Sequence, residues 1–177
     1  MYYNKPKIIQ SFKFSDHRGS LEKLIPTSMD EGFETKQVHI VRNLYSGTIR
    51  GMHHQKAPYL DNKILKVLSG RIIDICVCVN PKSNNFGRCF RFEIVSNDDN
   101  FLYVPSDYAH GYEALEDNTS ILYIHSNNYS NLSDNSFNVN DPLIAQLWSN
   151  NPAKILSTKD ENLPYFIEAY GEAKNEM

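Results

Sequence analysis

The middle of the chain alternates between short segments rich in β-branched and aromatic residues and short clusters of Ser, Asn, Asp, Gly and Pro. Such segments favour strands, and the clusters between them favour turns. The pattern predicts seven strands, at residues 37–44, 48–55, 63–68, 71–79, 89–95, 100–104 and 120–125. Short strands divided by turns predict an antiparallel sandwich or barrel, and the jelly roll is the commonest version with an enclosed ligand cavity.

Residues 71–79 show the alternation most clearly. Successive side chains of a strand point to opposite faces, so alternate positions share a face. One face is aliphatic and the other more polar: Ile73, Ile75, Val77 and Val79 on the first, Asp74, Cys76 and Cys78 on the second. We therefore expect one face to pack in the core and the other to meet more polar surroundings.

After Asp134 the strand pattern gives way to loops, with short helices predicted around residues 141–148 and 162–169. The polar tail, residues 170–177, is predicted to fray. A length of 177 residues, with 41% apolar and 12% aromatic residues, fits one domain that spans residues 1–177 and builds its own core.

The charge pattern limits the partners of the chain. The net charge is −3 with a pI near 6.1, and the Lys and Arg residues are dispersed, which argues against a polybasic surface for nucleic acid or anionic lipid. The first residues lack the charged flank and apolar run of a secretory signal, and no segment approaches the roughly 20 apolar residues of a membrane span. We therefore expect a cytoplasmic protein without nucleic-acid or membrane partners.

The three cysteines are Cys76, Cys78 and Cys89. The first two point the same way from one predicted strand, which is a poor geometry for a disulfide. Buried structural thiols are therefore predicted, and a redox or metal role is the less favoured alternative.

The densest polar cluster is Arg50-Gly51-Met52-His53-His54-Gln55, inside a predicted strand. Regular alternation divides it between two faces: Arg50, Met52 and His54 on one, and Gly51, His53 and Gln55 on the other. A lone strand histidine is more often a hydrogen-bonded structural residue than a catalyst. Other isolated polar residues also have structural explanations: a solvated strand end for Lys63, a packed phenol for Tyr123 and a helix N-cap for Asp160.

Six segments nevertheless form a recognisable series. They are Arg50 to Gln55, Lys63-Ile64-Leu65 before Gly70, Pro105 to Gly111, Leu122-Tyr123 followed by Asn128-Tyr129-Ser130, Asn140-Asp141-Pro142 before Trp148, and Leu156-Ser157-Thr158-Lys159-Asp160. In order and separation the series resembles the motifs of the dTDP-4-dehydrorhamnose 3,5-epimerases. The resemblance extends from about Phe14 to about Phe166.

The resemblance implies a cupin-type jelly roll that needs no cofactor or metal. Its substrate would be a nucleotide-linked 4-keto-6-deoxy sugar, with dTDP as the default nucleotide, in rhamnose-type deoxysugar or surface polysaccharide (O-antigen) biosynthesis. The C4 ketone acidifies the hydrogens on C3 and C5, so inversion needs a base on one face, an acid on the other and a cation near the ketone oxygen. The family's base falls on His53, its aspartate partner on Asp160, its lysine on Lys63 and its acidic phenol on Tyr123.

The resemblance also assigns substrate contacts. Arg50, His110 and Tyr129 match residues that line the pocket, and the planar fork of an arginine suits a diphosphate. Arg18 matches an arginine that reaches the nucleotide site of a neighbouring subunit, which implies a homodimer whose N-terminal segment completes the neighbouring site. The remaining substrate contacts assigned are Gln55, Glu22 and Lys159.

Two segments depart from the family pattern. After Arg18-Gly19 the chain reads Ser20-Leu21-Glu22, where the family has two aromatics and a glutamate. Residues 37–43 are more apolar than the family's strand and look more like those of sugar 3,4-ketoisomerases. A C3-only epimerase and a 3,4-ketoisomerase are therefore alternatives to inversion at both carbons.

Two alternatives come from other functional classes. A metal-dependent cupin would use His53, His54 and His110 as ligands, but adjacent strand histidines point apart and do not easily bind one ion. A non-catalytic sugar- or nucleotide-binding cupin would need the pocket but not the acid and base groups, and the presence of all four catalytic positions argues against it.

Overall fold

The computed structural model describes residues 4–24 and 33–171. Strands dominate this part of the chain. They are β1 Lys7–Gln10, β2 Phe12–Asp16, β3 Gly19–Lys23, β4 Gln37–Asn43, β5 Ile49–His53, β6 Lys63–Ser69, β7 Arg71–Cys78, β8 Cys89–Val95, β9 Asn100–Val104, β10 Tyr108–Ala114 and β11 Thr119–His125.

Two antiparallel sheets form the sandwich. The larger has the strand order β1-β9-β6-β11-β4, and the smaller has the order β5-β10-β7-β8. Strands β2 and β3 form a separate antiparallel hairpin. The predicted all-β jelly-roll class is confirmed. Among the described residues the sheets are not closed, with β1 and β4 at the edges of the larger sheet and β5 and β8 at the edges of the smaller.

All seven predicted strands are present, with ends that differ by up to two residues. Four further strands were not predicted. The motif from Pro105 to Gly111 is a turn only at its start, because β10 runs from Tyr108 to Ala114 and pairs with both β5 and β7. The hairpin strands β2 and β3 and the edge strand β1 are short and mostly exposed, so they lack the apolar pattern that marks a buried strand.

Apolar side chains fill three layers. The layer between the sheets includes Leu65, Val67 and Leu102. A second layer lies between the smaller sheet and the C-terminal segments, where Ile73, Ile75 and Val77 meet residues such as Phe137. A third covers the outer face of the larger sheet around Ile64, Phe101 and Tyr103.

Strand β7 lies at the centre of the smaller sheet, so both of its faces are buried. Its aliphatic face packs in the core as predicted. The expectation for the other face was only partly right, because Cys76 and Cys78 pack between the sheets and Asp74 is fully buried. The predicted burial of the thiols is confirmed for these two, while Cys89 is half-buried, and all three are free.

The C-terminal part contains two short α-helices, α1 Thr158–Glu161 and α2 Phe166–Tyr170. Single 3-10 turns occur at Asn131–Ser133 and Ala145–Leu147. The helix predicted around residues 141–148 is thus only a 3-10 turn, and that around 162–169 corresponds to α2. No helix in the described ranges is both long and apolar enough to traverse a lipid bilayer.

The fraying predicted for the tail is wrong at its first residue. Tyr170 is 6% exposed, and its hydroxyl donates to the Asn135 carbonyl. Its ring packs against Phe166 and Phe137, so apolar burial holds α2 against the sandwich. Residues 172–177 lie outside the described part of the chain.

His54 joins β5 to this C-terminal layer. Its Nε2 lies 3.0 Å from the Ser106 carbonyl oxygen, and its ring meets Tyr170 edge-on. Its Nδ1 is buried with no hydrogen-bond partner in the described part of the chain. Burial, assisted by the positive charge of Lys63, lowers the pKa of His54 from 6.5 to about 4. A histidine buried in its neutral form stabilises the fold above the unfolded pKa, and this contribution is lost as the pH falls towards the folded pKa.

We expect the pH dependence of stability to weaken in His54→Gln. In the native protein this histidine should reduce the free energy of unfolding by about 2–3 kcal/mol between pH 7 and pH 4.5. Urea unfolding at both pH values, on native protein and variant, measures the difference. His17→Gln, at an exposed turn of the hairpin, is the control and should follow the native protein. Equal losses in native protein and His54→Gln would contradict this account.

Candidate active site

A cavity of about 270 Å³ lies between the inner faces of the two sheets. It brings together most of the residues that the sequence analysis selected. The predicted residues that line it are Arg50, His53, Gln55, Lys63, His110, Tyr123, Tyr129 and Lys159. Asp160 reaches the same place from behind His53, through a hydrogen bond.

A β-bulge sets which side chains of β5 enter the cavity. His53 pairs with His110 and Arg50 pairs with Tyr112, so Gly51 and Met52 together oppose the one residue between those partners. Because two residues of β5 here oppose a single residue of β10, the alternation of side chains between the two faces of the sheet is reversed after the bulge. Arg50 and His53 therefore line the same cavity, and the prediction that they face opposite sides was wrong.

The bulge depends on two glycines that touch across the strands. A Cβ atom on Gly51 would lie 2.6 Å from the Cα of Gly111, and one on Gly111 would lie 2.8 Å from the Cα of Gly51. The obstructing atoms are backbone atoms, which cannot rotate away. Neither position has room for a side chain while β5 and β10 keep this distance.

His53 is paired with a buried carboxylate. Its Nε2 lies 3.0 Å from Oδ1 of Asp160, which is 4% exposed. Ser157 caps α1 by accepting a hydrogen bond from the Asp160 backbone N–H, which fixes the start of the helix. Burial opposes ionisation of Asp160, but hydrogen bonds from His53, Ser157 and the Gly51 N–H outweigh it and lower the pKa of Asp160. The carboxylate is thus charged at neutral pH and holds the His53 ring through this hydrogen bond.

His110 forms a second such pair. Its Nδ1 lies 3.1 Å from Oδ2 of Asp74, and both side chains are almost fully buried. Burial lowers the pKa of His110, although Asp74 acts in the opposite direction. Since His110 is the register partner of His53, the two imidazoles lie side by side on the smaller sheet.

Lys63 and Tyr123 face these histidines from the larger sheet. Lys63 is 7% exposed, and its ammonium lies 3.5 Å from Oδ2 of Asp61. Tyr123 is 5% exposed, and burial raises the pKa of its phenol well above the ordinary value. The phenol is therefore protonated at neutral pH and has a proton to donate into the cavity.

Arg50 lies on the exposed side of the cavity. Its Nε donates to Oδ1 of Asn43, which also accepts a hydrogen bond from the Tyr112 hydroxyl. This tether fixes the base of a solvent-exposed guanidinium. A guanidinium held in this way suits an oxyanion such as a phosphate.

The remaining predicted contacts on this side interact with loop residues. Lys159 forms an ion pair with Asp134, whose Oδ2 also accepts from the Tyr129 hydroxyl at 3.0 Å. Gln55 donates to the carbonyls of Tyr59 and Asn128. It also accepts from the Ser130 N–H. Its amide thus organises the loop that carries Tyr129, a role that the strand pattern did not indicate.

Arg18 and Glu22 lie away from the cavity of their own chain. Arg18 is at the tip of the β2–β3 hairpin, where its exposed guanidinium pairs with Asp16 at 2.7 Å. Glu22 instead accepts from Lys66 at 2.6 Å and from Ser11. Within one chain these two residues therefore do not join the site.

Several cavity residues were not predicted from the sequence. Gln37 and His39 project from β4, His125 follows Tyr123 by two positions, and Asp61 precedes Lys63 by two. Period-two alternation around Tyr123 was a usable signal for His125, because it places both side chains on one face. Asp61 lies in a loop, where no periodicity identifies it.

The metal-dependent alternative needs a set of converging ligands. Within residues 4–24 and 33–171, no three His, Cys, Asp or Glu side chains are grouped so that they would hold a metal ion. The two adjacent histidines have different hydrogen-bond partners: His53 pairs with Asp160, whereas His54 pairs with the Ser106 carbonyl.

The chain is similar to known epimerases over nearly its whole length. Residues 4–168 match the family model described as dTDP-4-dehydrorhamnose 3,5-epimerase. An Escherichia coli (strain K12) dTDP-4-dehydrorhamnose 3,5-epimerase is 29% identical over 160 residues, which cover 88% of this chain and 86% of the relative. A dTDP-4-dehydro-6-deoxyglucose 3-epimerase of Streptomyces bikiniensis is 27% identical over 163 residues, covering 88% of this chain and 79% of the relative.

A solved structure shows the same architecture. The dTDP-4-dehydrorhamnose 3,5-epimerase of Bacillus anthracis, crystallised with TDP and PPi bound, superposes with a TM-score of 0.84 at 28% identity, covering 93% of this chain and 97% of that one. The match in sequence extends through both sheets and α1 and ends within α2, so it includes every element that contributes to the cavity. The chain belongs to the dTDP-4-dehydrorhamnose 3,5-epimerase family and is an isomerase of the cupin type.

Proposed function

We propose that this protein inverts C3 and C5 of a dTDP-linked 4-keto-6-deoxyhexose through an enolate, with His53 as the base. One observation carries the proposal: His53, backed by Asp160, faces the same cavity as a buried ammonium and a buried phenol from the opposite sheet. Base, cation and acid therefore surround one space. The bound TDP of the Bacillus anthracis relative supports the choice of nucleotide.

The chemistry follows from these positions. The Nε2 of His53 is occupied by Asp160, so Nδ1 is the atom left to remove the proton from the ring carbon. The C–H electron pair moves into the ring as the C4 oxygen becomes an enolate, and Lys63 stabilises that oxygen. Tyr123 then delivers its proton to the other face of the same carbon, which inverts it. Exchange with solvent returns a proton to the phenolate and removes one from His53.

The role of the base is tested by hydrogen exchange. In D2O, His53→Ala and Asp160→Asn should reduce deuterium incorporation at the sugar carbons by about 10²–10⁴-fold, because a general base contributes that much. Nucleotide binding, measured by calorimetry with dTDP, should change little. Glu93→Gln, which removes a surface ion pair with Arg71, is the control and should exchange normally. Normal exchange in His53→Ala would remove this residue as the base.

The role of the acid is tested by comparing two outputs of the same reaction. Tyr123→Phe keeps the ring and its packing but removes the proton donor. Deuterium exchange with retention should survive better than net inversion, because His53 can return the proton to the face from which it came. NMR of the product measures both quantities. An equal loss of exchange and inversion would show that Tyr123 does not act as the acid.

We further propose a homodimer in which the β2–β3 hairpin completes the nucleotide site of the neighbouring subunit. Support comes from the exposure of Phe12, Phe14 and Leu21 on this hairpin, since such apolar side chains together favour a protein contact. The pairing of Glu22 with Lys66 ties the hairpin to the larger sheet. Glu22 thus serves to orient the hairpin, and Arg18 at its tip remains for the substrate.

Arg18→Ala tests this arrangement. The variant should bind dTDP about tenfold more weakly, because a guanidinium contact with a diphosphate is lost, while its dimer content stays the same. Calorimetry and analytical ultracentrifugation measure the two properties. The Asp16→Asn variant removes only the ion-pair partner of Arg18 and should bind nearly as well as the native protein. Unchanged affinity in Arg18→Ala would contradict a contact across subunits.

Inversion at C3 alone is the second function that an observation supports, because the Streptomyces bikiniensis 3-epimerase is nearly as similar as the 3,5-epimerases. NMR of products from a panel of 4-keto-6-deoxy nucleotide sugars in D2O distinguishes the two, since deuterium at C5 requires a second deprotonation.

The 3,4-ketoisomerase alternative would instead move the carbonyl of the sugar from C4 to C3. A rhamnose or surface polysaccharide pathway and a cytoplasmic location stay predictions.

A further inference from the structure

The inner face of the larger sheet carries a polar patch, of which the proposed mechanism uses only Lys63 and Tyr123. Across β4, β11 and β6, register places Gln37, His125 and Lys63 side by side. The next row contains His39 and Tyr123. All five line the cavity. The acid and the cation of the proposed reaction are therefore neighbours in one polar patch.

Asp61 contacts two members of this patch, His125 and Lys63. It is 4% exposed, and its Oδ2 accepts a hydrogen bond from Nδ1 of His125 at 2.7 Å while lying 3.5 Å from the ammonium of Lys63. Its Oδ1 accepts from the Asn127 N–H at 3.0 Å and from the Ser126 hydroxyl at 3.4 Å. Both carboxylate oxygens are thus hydrogen-bonded, which fixes the carboxylate next to Lys63.

The charge of Asp61 is maintained against its burial. Burial alone favours the neutral acid, but the hydrogen bond from His125 and the charge of Lys63 prevail and lower the pKa of Asp61. His125 approaches Asp61 through Nδ1, and its Nε2 is buried with no hydrogen-bond partner among the described residues. The imidazole thus serves Asp61 as a hydrogen-bond partner on the side away from Asn127.

A buried ammonium without a counter-charge tends to lose its proton, because burial penalises the charged form. Within the described ranges, Asp61 is the one carboxylate at ion-pair distance from Lys63. The other titratable groups that line the cavity with Lys63 are His39 from β4, Arg50, His53 and His54 at β5, His110 and Tyr112 from β10, Tyr123 and His125 from β11, and Tyr129, Asp134 and Lys159 from the segments that follow. From β7, Cys76 interacts with Lys63, and Asp74 interacts with His110. Imidazoles are the most numerous of these groups, and Asp74 is engaged by His110.

We propose that Asp61 is a positioning residue that keeps Lys63 protonated and fixes its ammonium where the ketone oxygen gains charge, with His125 as its brace. This inference rests on the proposed epimerase function. The brace also reaches the acid, because His125 stacks on Tyr123 with ring centroids 5.6 Å apart, and His39 stacks on both. Asp61 thereby fixes the position of the Lys63 ammonium directly, and that of the Tyr123 ring through His125.

The test is the pH profile of deuterium exchange in Asp61→Asn. The amide keeps the size of the side chain but lacks the charge that retains the proton on Lys63. On the alkaline limb of the profile we expect turnover to fall about tenfold or more below that of native protein at the same pH, because Lys63 there loses its proton and the enolate loses its charged partner, with KM changed less than turnover. The alkaline limb of the profile should move down by about one pH unit or more, since an opposite charge at this distance has that effect.

The matched control is Asp99→Asn, which removes the carboxylate of an exposed aspartate–lysine pair with Lys13 at 2.7 Å. Its profile should coincide with that of the native protein. A loss of turnover in Asp61→Asn with the alkaline limb unmoved would assign Asp61 a purely structural role and overturn the inference. Circular dichroism and thermal unfolding at pH 7 identify a variant that fails to fold, and Asp61→Glu, which restores the charge, should then recover the native limb.

The outcome with native protein separates this inference from the function on which it rests. Exchange in native protein with an unshifted Asp61→Asn profile refutes only the role of Asp61. No exchange in native protein with any 4-keto-6-deoxy nucleotide sugar refutes the epimerase itself, and the inference with it.

Discussion

Three buried carboxylates each hold one imidazole of the cavity: Asp160 holds His53, Asp74 holds His110 and Asp61 holds His125. A charge placed in a poorly solvated space must be compensated there, because water is not available to do so. Each pair fixes the orientation of a ring and supplies the negative charge that a proton on that ring would require. Three imidazoles of the cavity are therefore held in fixed orientations beside a compensating charge.

The strand pattern predicted the sandwich well where strands are buried. Strand β7 illustrates why: it is buried along almost its whole length, and its β-branched and other apolar residues are typical of a buried strand. The pattern failed at β10, where Pro105, Ser106 and Asp107 have strong turn chemistry and the strand begins directly after them. It also failed in the N-terminal hairpin, whose exposed strands are stabilised by pairing with each other rather than by a core.

The residues of the site were predicted better than their arrangement. Motif order selected His53, Lys63, Tyr123 and Asp160 from positions far apart in the chain, and the fold brings them together. Alternation, however, separated Arg50 from His53, because a bulge depends on pairing with a second strand and leaves no mark within β5 itself. Asp61 escaped notice for a similar reason, since its partners are on β6 and β11.

The contact between Gly51 and Gly111 gives the two walls of the cavity different evolutionary freedom. On the smaller sheet, the backbone bulge sets the direction in which the side chains of Arg50 and His53 point. A Cβ atom on either glycine would push β5 and β10 apart. On the larger sheet, β4 is an edge strand among the described residues and presents Gln37 and His39 to the cavity through side chains alone. New sugar preferences are thus more readily acquired by exchange of residues on β4 than by remodelling the wall that carries His53.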